Sequence, residues 1–342
     1  MSVSSNLWNI KETEFPQTGT LTKQLEFILN YSLLAPSGHN TQPWKFRINH
    51  EAIELYADKT RALPIVDPQN RELIISCGTA LFNLRIALRH FSYYGEVAIF
   101  PDQNNPDFLA RIRLDKSDRP SADEQMLFEA IPKRHTNRQD YEDWDIPKSL
   151  LTWLEVDAAT EGAWIHIVRD ITQNAVTELV MEGDRYLMAD PNFRRELAAW
   201  IHPSNSPNHD GIPGYAYGVS EYLDFATPLF ALVMRTFDLG NSTAKRNRQL
   251  IAQSPALLVL GTQTDTAKDW LVAGQALERV LLRSQAMGLS ASFLNQPIEV
   301  PALRSLLGKF LHAPGFPQIL LRLGFGAEIK PTARRTVEEV LL

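Results

Sequence analysis

Hydrophobic positions along the chain follow two periods in turn. Leu25, Ile28, Leu29, Ser32 and Leu33 share one face at helical spacing, and Ala35-Pro36 ends that helix. Trp44-Lys45-Phe46-Arg47-Ile48 then changes to the two-residue alternation of a strand, with Glu51 to Tyr56 as its hairpin partner. Asp67-Pro68 opens a strongly apolar helix from about Glu72 to Leu88. Val97 to Phe100 and Phe108 to Leu114 read as two more strands. A polar, turn-rich stretch, Ser117 to Pro120, marks a boundary before a helix from Glu124 to Ile131.

The rest of the chain repeats this order. A helix around Leu150 to Ala159 precedes a strand, Ala163 to Val168, and a strand at Ala256 to Leu260 leads into a long apolar helix, Trp270 to Met287. Ile319 to Phe325 echoes the strand Phe108 to Leu114. Gly78-Thr79-Ala80-Leu81 and Gly274-Gln275-Ala276-Leu277 match in three of four letters and are each read as opening a helix that ends near a glycine, Gly95 or Gly288. The expected fold class is α+β, with two related halves, 1–120 and 121–342. Between the repeated elements lies an excess block, roughly Asp184 to Asn247. Within it Ile201 to Ser220 carries prolines, glycines and tyrosines without a helical or strand period, the composition of a lid, a binding loop or a disordered insert.

Composition narrows the class of protein. A chain of 342 residues exceeds a comfortable single core, which agrees with two lobes. A net charge of −6 argues against general attraction to nucleic acid or an anionic membrane, so neither is expected as a partner. No basic region runs into an apolar stretch at the N-terminus, and no run reaches membrane-spanning length; a soluble, cytoplasmic protein is expected. The single cysteine, Cys77, sits among apolar neighbours and reads as a buried inert thiol. The eight histidines lack metal-ligand spacing, and no residues are arranged as a catalytic nucleophile and base.

Three polar clusters carry the candidate chemistry. The first, Ala35-Pro36-Ser37-Gly38-His39-Asn40-Thr41-Gln42-Pro43-Trp44, sets hydroxyl, imidazole, carboxamide and backbone donors between a helix end and a strand. Such groups suit the edge of a flat heteroaromatic ring, or else simply form a polar connecting loop. In the second, Lys133 to Arg138, an extended backbone would project Arg134, Thr136 and Arg138 alike, giving two guanidinium forks and a hydroxyl fit for a phosphate. A solvated basic turn has the same letters. Arg334-Arg335 is the third cluster, either a phosphate contact or an exposed pair.

Taken together these clusters resemble one family. From about Leu25 to Val340 the chain is similar to the FMN-dependent nitroreductase superfamily, in its tandem-domain, Acg-like branch. Residues 36–44 match the flavin-ring loop P-S-x-x-N-x-Q-P-W, and Arg134 to Arg138 match the phosphate motif R-x-[ST]-x-[RK]. Gly288 to Gln296 follow the long helix, where the family passes its backbone beside the flavin's central ring. The resemblance implies a nitroreductase-like fold whose two halves form an intramolecular pseudo-dimer. It implies FMN held by Ser37, Gly38, His39, Asn40, Gln42, Arg134, Thr136, Arg138, Ser292, Phe293, Leu294, Asn295, Arg334 and Arg335. No basic phosphate motif precedes Ser37, and Asp157 to Trp164 stand where the second half would keep its own Pro-Trp loop. Each half thus retains what the other lacks, which implies one composite site and one FMN per chain, with no need of a dimer. The implied activity is transfer of two electrons from NADH or NADPH through the flavin to a small electron-poor acceptor. FMN storage beneath a closed lid, with little turnover, is the alternative.

Overall fold

A computed structural model describes residues 7–49, 52–116, 119–204, 206–217 and 221–342. Glu51, Ser117, Gly218 and Ser220, which entered the expectations above, lie outside the described residues. The first half begins with α1 (Leu21–Ser32), whose first turn is capped by the Thr20 side chain. It continues through the hairpin β1 (Trp44–Asn49) and β2 (Ala52–Ala57), then α2 (Arg71–His90), β3 (Tyr93–Ile99), β4 (Phe108–Lys116) and α3 (Ala122–Ala130). Next come α4 (Lys148–Thr160) and β5 (Trp164–Val168). An insert follows, built from α5 (Asp170–Ala189), α6 (Pro191–Ala199), the short strands β6 (Ile201–His202) and β7 (Ile212–Pro213), α7 (Thr227–Thr236) and α8 (Gly240–Ala252). The chain then forms β8 (Ala256–Thr262), α9 (Ala267–Ala286), β9 (Ser290–Phe293), α10 (Gln296–Glu299), α11 (Pro301–Phe310), β10 (Phe316–Gly324) and α12 (Val337–Val340).

Two four-stranded antiparallel sheets result, ordered β1-β2-β4-β3 and β5-β8-β10-β9. If β5 is matched to β1, β8 to β2, β9 to β3 and β10 to β4, the two orders are the same. The repetition seen in the sequence is therefore a repetition of sheet topology, and the fold is α+β. Every residue of β8 is buried, which explains its unbroken run Ala-Leu-Leu-Val-Leu-Gly-Thr.

Helices α2 and α9 join the halves. Both are twenty residues long, and Gly78 and Gly274 occupy the same place in each, seven residues after the first. They do not open their helices, as the letters suggested; they are the crossing point. A Cβ on Gly78 would lie 2.4 Å from the Leu271 carbonyl oxygen, and one on Gly274 would lie 2.0 Å from that of Ile75. Only glycine permits this approach. The contact carries Leu271 and Leu282 of α9 into the core of the first half, and Ile75 of α2 into that of the second.

The insert is wider and more ordered than its composition indicates. It runs from 169 to 255, between the strands equivalent to a plain hairpin in the first half, and it is mainly helical. Val176, Leu179, Val180 and Leu187 form a buried stripe at helical spacing on α5. Leu187, Met188, Phe193, Leu197 and Met234 pack with Leu63 and Val66 of the first half, so the insert bridges both halves. No described helix is long and apolar enough to cross a membrane.

Candidate functional site

The loop after α1 is strained and tightly held. His39, Asn40 and Gln42 all have positive φ (49°, 55° and 51°), a region that side chains other than glycine's enter at a cost. Local bonds offset it: Gln42 N donates to Ser37 Oγ (2.9 Å), Gly38 N to Ser76 Oγ (3.3 Å) and Thr79 Oγ1 to the Pro36 carbonyl (2.9 Å). The outcome is a turn that presents Pro36, Ser37, Gly38 and His39 to a cavity of about 400 Å³. His39 Nε2 is buried there without a hydrogen-bond partner, and burial pushes the imidazole down to about 4, so the ring is neutral.

The Arg134 to Arg138 cluster and the 288–296 segment reach the same place from the other half. An isolated bridge pairs Thr136 with Ala291, and Asn137 N donates to the Ala291 carbonyl (2.9 Å), laying residues 134–138 alongside β9. Ser292, Phe293, Leu294 and Asn295 line the large cavity opposite the 36–39 turn. Asn295 is fixed through Oδ1, which accepts from Leu320 N (3.0 Å), and Ser292 Oγ accepts from Arg322 Nε (2.8 Å). Arg322 is fully buried, lies over the Tyr141 ring at 4.0 Å and donates to the Asn137 and Gln139 carbonyls. It ties the basic loop to β9, and nothing in its strand setting announced that task.

A small polar pocket adjoins the large cavity and shares Pro36, Ser37, Arg138, Ile212 and Ala216 with it. Arg134, Thr136, Arg138 and Arg334 converge there. Arg134 is 4% exposed and Arg334 8% exposed. Burial, reinforced by Arg134, lowers Arg334 to about 9; burial also lowers Arg134. The Nε atoms of both have no hydrogen-bond partner. Arg134 faces the fully buried Glu278 at 3.5 Å, burial having pushed that carboxyl up to about 7. Arg138 has no hydrogen bond or ion pair among the described residues. Two buried guanidiniums and a half-buried third are costly to keep together without an anion, so the pocket suits a phosphate.

Among curated proteins, two Mycobacterium tuberculosis relatives carry the name "Putative NAD(P)H nitroreductase". One is 31% identical over 96% of this chain and 93% of the relative. The other, acg, is 26% identical over 95% of this chain and 97% of its own length. The chain belongs to the nitroreductase family. It falls in the branch that includes acg. No family profile matches the chain. Among solved structures, the FMN and NADPH-dependent nitroreductase NfnB of Sphigopyxis sp. (as its crystal structure is described) aligns with 63% of this chain and 96% of its own. The sequences are 19% identical, with a TM-score of 0.41.

Within this nitroreductase-family chain twelve of the fourteen expected site residues line the two cavities. Ser37, Gly38, His39, Arg138 and Ser292 to Asn295 line the large cavity, and Asn40, Arg134, Thr136 and Arg334 line the small one. Gln42 and Arg335 line neither. Gln42 is fully buried: its Nε2 donates to the His209 carbonyl (2.7 Å) and its Oε1 accepts from Arg335 N (2.8 Å). Arg335 donates to the Gln42 and Glu339 carbonyls (3.0 and 2.6 Å) and faces Asp58 at 3.7 Å. Both fasten the turn, the insert and the C-terminal segment together. Asn40 also orients rather than presents: Arg334 Nη1 donates to its Oδ1 (2.9 Å), and its Nδ2 donates to the Gly211 and Ala333 carbonyls.

Several neighbours of the site had no sequence signal. Trp8 stacks under Arg334 at 4.8 Å and edge-on to His135 at 4.4 Å, and donates from Nε1 to the Thr332 carbonyl (2.8 Å). Burial, with Arg134 and Arg334 nearby, holds His135 down at about 3. The Tyr215 hydroxyl donates to the Lys330 and Pro331 carbonyls, beside the small pocket. Cys77 is buried and its Sγ donates to the Pro43 carbonyl, with the thiol pushed well above its ordinary range by burial. The apolar wall of the large cavity comes from the insert, through Leu187, Met188, Phe193, Phe230 and Met234. In the second half, where a matching flavin loop would stand, Asp157 pairs with Arg279 and Arg283 (2.8 and 2.7 Å) and Glu161 with Arg85 (2.6 Å).

Proposed function

We propose that this chain is an FMN-dependent, NAD(P)H-linked oxidoreductase that reduces a small electron-poor acceptor, with one flavin site per chain. The observation that carries this reading is the continuity of an apolar cavity with a pocket of buried guanidinium groups whose Nε atoms lack hydrogen-bond partners. A flavin mononucleotide has that same division between a flat ring and a phosphate. The buried Nε atoms of Arg134 and Arg334 fit the phosphate by chemistry, as does Arg138; the 36–39 turn and the backbone of 292–295 fit the ring.

When bound, FMN supplies the two-electron redox chemistry. The chain's own contribution is binding, orientation and exclusion of water. Arg134, Arg138, Thr136 and Arg334 would hold the phosphate, with Asn40 and Trp8 fixing the plane of Arg334. His39, neutral in its pocket, has a free ring nitrogen for a hydrogen bond without adding charge beside the ring. The insert helices shield the cavity. The ion pairs of Asp157 and Glu161 support a single site, because carboxylates already neutralised by arginines offer nothing to a second flavin.

The test is the absorbance spectrum of the purified protein, followed by denaturation and quantitation of released cofactor. One FMN per chain is expected, with bleaching on anaerobic addition of NADH or NADPH. Two flavins per chain, FAD in place of FMN, or a colourless protein that takes up no FMN would overturn the reading.

A further inference from the structure

Glu278 stands one turn beyond Gly274 on α9, on the face that crosses α2, and it is completely buried. Neither of its carboxyl oxygens has a hydrogen-bond partner among the described residues. Asn83 of α2, also completely buried, stands beside that carboxyl. Its Nδ2 donates to the Tyr31 carbonyl (3.4 Å), and its Oδ1 is left without a partner. Two sets of unpartnered acceptors side by side suit an ionised carboxyl badly. A protonated carboxyl supplies one O–H donor, which Asn83 Oδ1 can accept.

On its other side Glu278 backs the small polar pocket. Its Oε1 lies 3.5 Å from Nε of Arg134, a guanidinium that lines that pocket, and Arg334 on the same pocket is the second cation acting on it. Charged groups on the helices packed against α9 are engaged elsewhere. Asp123 of α3 and Asp157 of α4 pair with Arg279 and Arg283, and Arg85 of α2 pairs with Glu161. His135, next to Arg134, is held neutral. Burial pushes the Glu278 carboxyl up to about 7, outweighing the opposite pull of Arg134, Asn83 and Arg334.

A carboxylate and a phosphate compete for one guanidinium. With a phosphate in the pocket, an ionised Glu278 behind Arg134 repels it through a low-dielectric interior. A proton on Glu278 removes that repulsion, releases Arg134 to the phosphate and gives Asn83 Oδ1 its donor. We propose that Glu278 is a positioning residue of the phosphate site, and that capture of the flavin's phosphate draws one proton from solvent onto its carboxyl. The proposal rests on the flavin reading, because FMN is the phosphate ester it invokes. With phosphate bound, Glu278 titrates above its value of about 7 in the free chain. Affinity for FMN is therefore insensitive to this group below that pH and falls as pH rises beyond it, by at most about tenfold per pH unit for one proton. The phosphate's own second ionisation, at about 6, acts in the opposite direction.

The experiment measures dissociation constants of FMN and riboflavin for the full-length protein by fluorescence titration from pH 6 to 8, below the point at which Arg334, lowered to about 9, loses charge. Glu278→Gln keeps the shape, donates to Asn83 and cannot titrate. Dividing wild-type by variant affinity cancels the ionisation of the ligand itself. For FMN that ratio is expected to fall about tenfold between pH 6 and pH 8, and for riboflavin, which lacks the phosphate, to stay level. If Glu278→Gln does not fold, the wild type decides alone: FMN affinity that drops with rising pH while riboflavin affinity does not supports the proposal. FMN affinity that stays level or rises across the range, or a variant ratio equal at both ends, overturns it and leaves the flavin reading intact. Failure to take up FMN at any pH removes the flavin reading, and the proposal with it.

Discussion

At the residue scale, the proposed phosphate pocket holds charges of two kinds, one without a protein partner and others that hold the protein together. Arg138 is the cleaner probe of the first kind, since it lines both cavities without a partner of its own. Arg138→Ala should weaken FMN about tenfold to a hundredfold and leave riboflavin, which lacks the phosphate, unaffected. Equal losses for both ligands in fluorescence titrations would move Arg138 out of the phosphate site. Arg134 is not equivalent, because its removal strands a fully buried carboxyl at Glu278. Arg134→Ala is expected to cost about 3–5 kcal/mol of stability, part of which a second change, Glu278→Gln, should restore. Denaturant midpoints of the single and double variants measure this; a double variant no more stable than the single would disprove the pairing. Asp184 gives a signed pH dependence. Burial raises its carboxyl from 3.8 to about 6, so between those pH values the folded chain holds more of this proton than the unfolded chain does. Its contribution to stability therefore falls as pH rises from about 4 to 6 and is constant above that. Asp184→Asn removes the penalty, so the variant should gain on the wild type across that window, by something on the order of 2 kcal/mol, and hold the gain above it. Melting temperatures that stay parallel from pH 4 to 8 would exclude the effect.

At the scale of elements, what could be read from sequence was what is repeated locally. The helix ending at Ala35-Pro36, the hairpin alternation around Trp44 and the long apolar helices all follow from side-chain period, and the structure has them within a few residues. Gly78 and Gly274 were placed in the right helices with the wrong task. A glycine needed for a close crossing and a glycine near a helix start look alike in one dimension, and only the neighbour's carbonyl distinguishes them. The insert was drawn too narrow for a related reason: Pro, Gly and Tyr between 201 and 217 marked a loop there, whereas the flanking stripe at 176, 179, 180 and 187 is ordinary helical core with no boundary signal. Trp8, Glu278 and Arg322 were invisible because their meaning depends on residues more than a hundred positions away. The crossing yields its own prediction. Gly274→Ala drives a methyl into the Ile75 carbonyl and should destabilise the chain by roughly 2–4 kcal/mol, with loss of flavin binding as the halves separate. A melting temperature within a degree of wild type would show that the helices can move apart freely.

At the scale of the whole molecule, the segment 201–217 is clasped by both ends of the chain rather than lying free over the cavity. Asn40 donates to the Gly211 carbonyl and Gln42 to that of His209; Arg61 pairs with Asp210 and lies over Trp200; His209 Nδ1 meets Glu339 Oε2 at 2.8 Å. Cutting the segment out would therefore take one hydrogen-bond acceptor from each of two carboxamides of the proposed flavin loop and loosen the site it was meant to uncover. The Arg61–Asp210 pair is a better place to intervene, because it joins the segment to the first half without touching either cavity. If the clasp controls entry, Asp210→Asn should leave FMN bound at wild-type stoichiometry and speed both flavin reduction by a nicotinamide and reoxidation by a quinone, each severalfold. Stopped-flow absorbance resolves the two half-reactions, whereas a steady-state rate can be limited by product release. A gain in both points to a shared gate, since donor and acceptor would pass the same segment; a gain in one alone points to separate routes. Unchanged half-reactions, with flavin bound and melting behaviour intact, would mean that the clasp stabilises the pseudo-dimer and does not govern access.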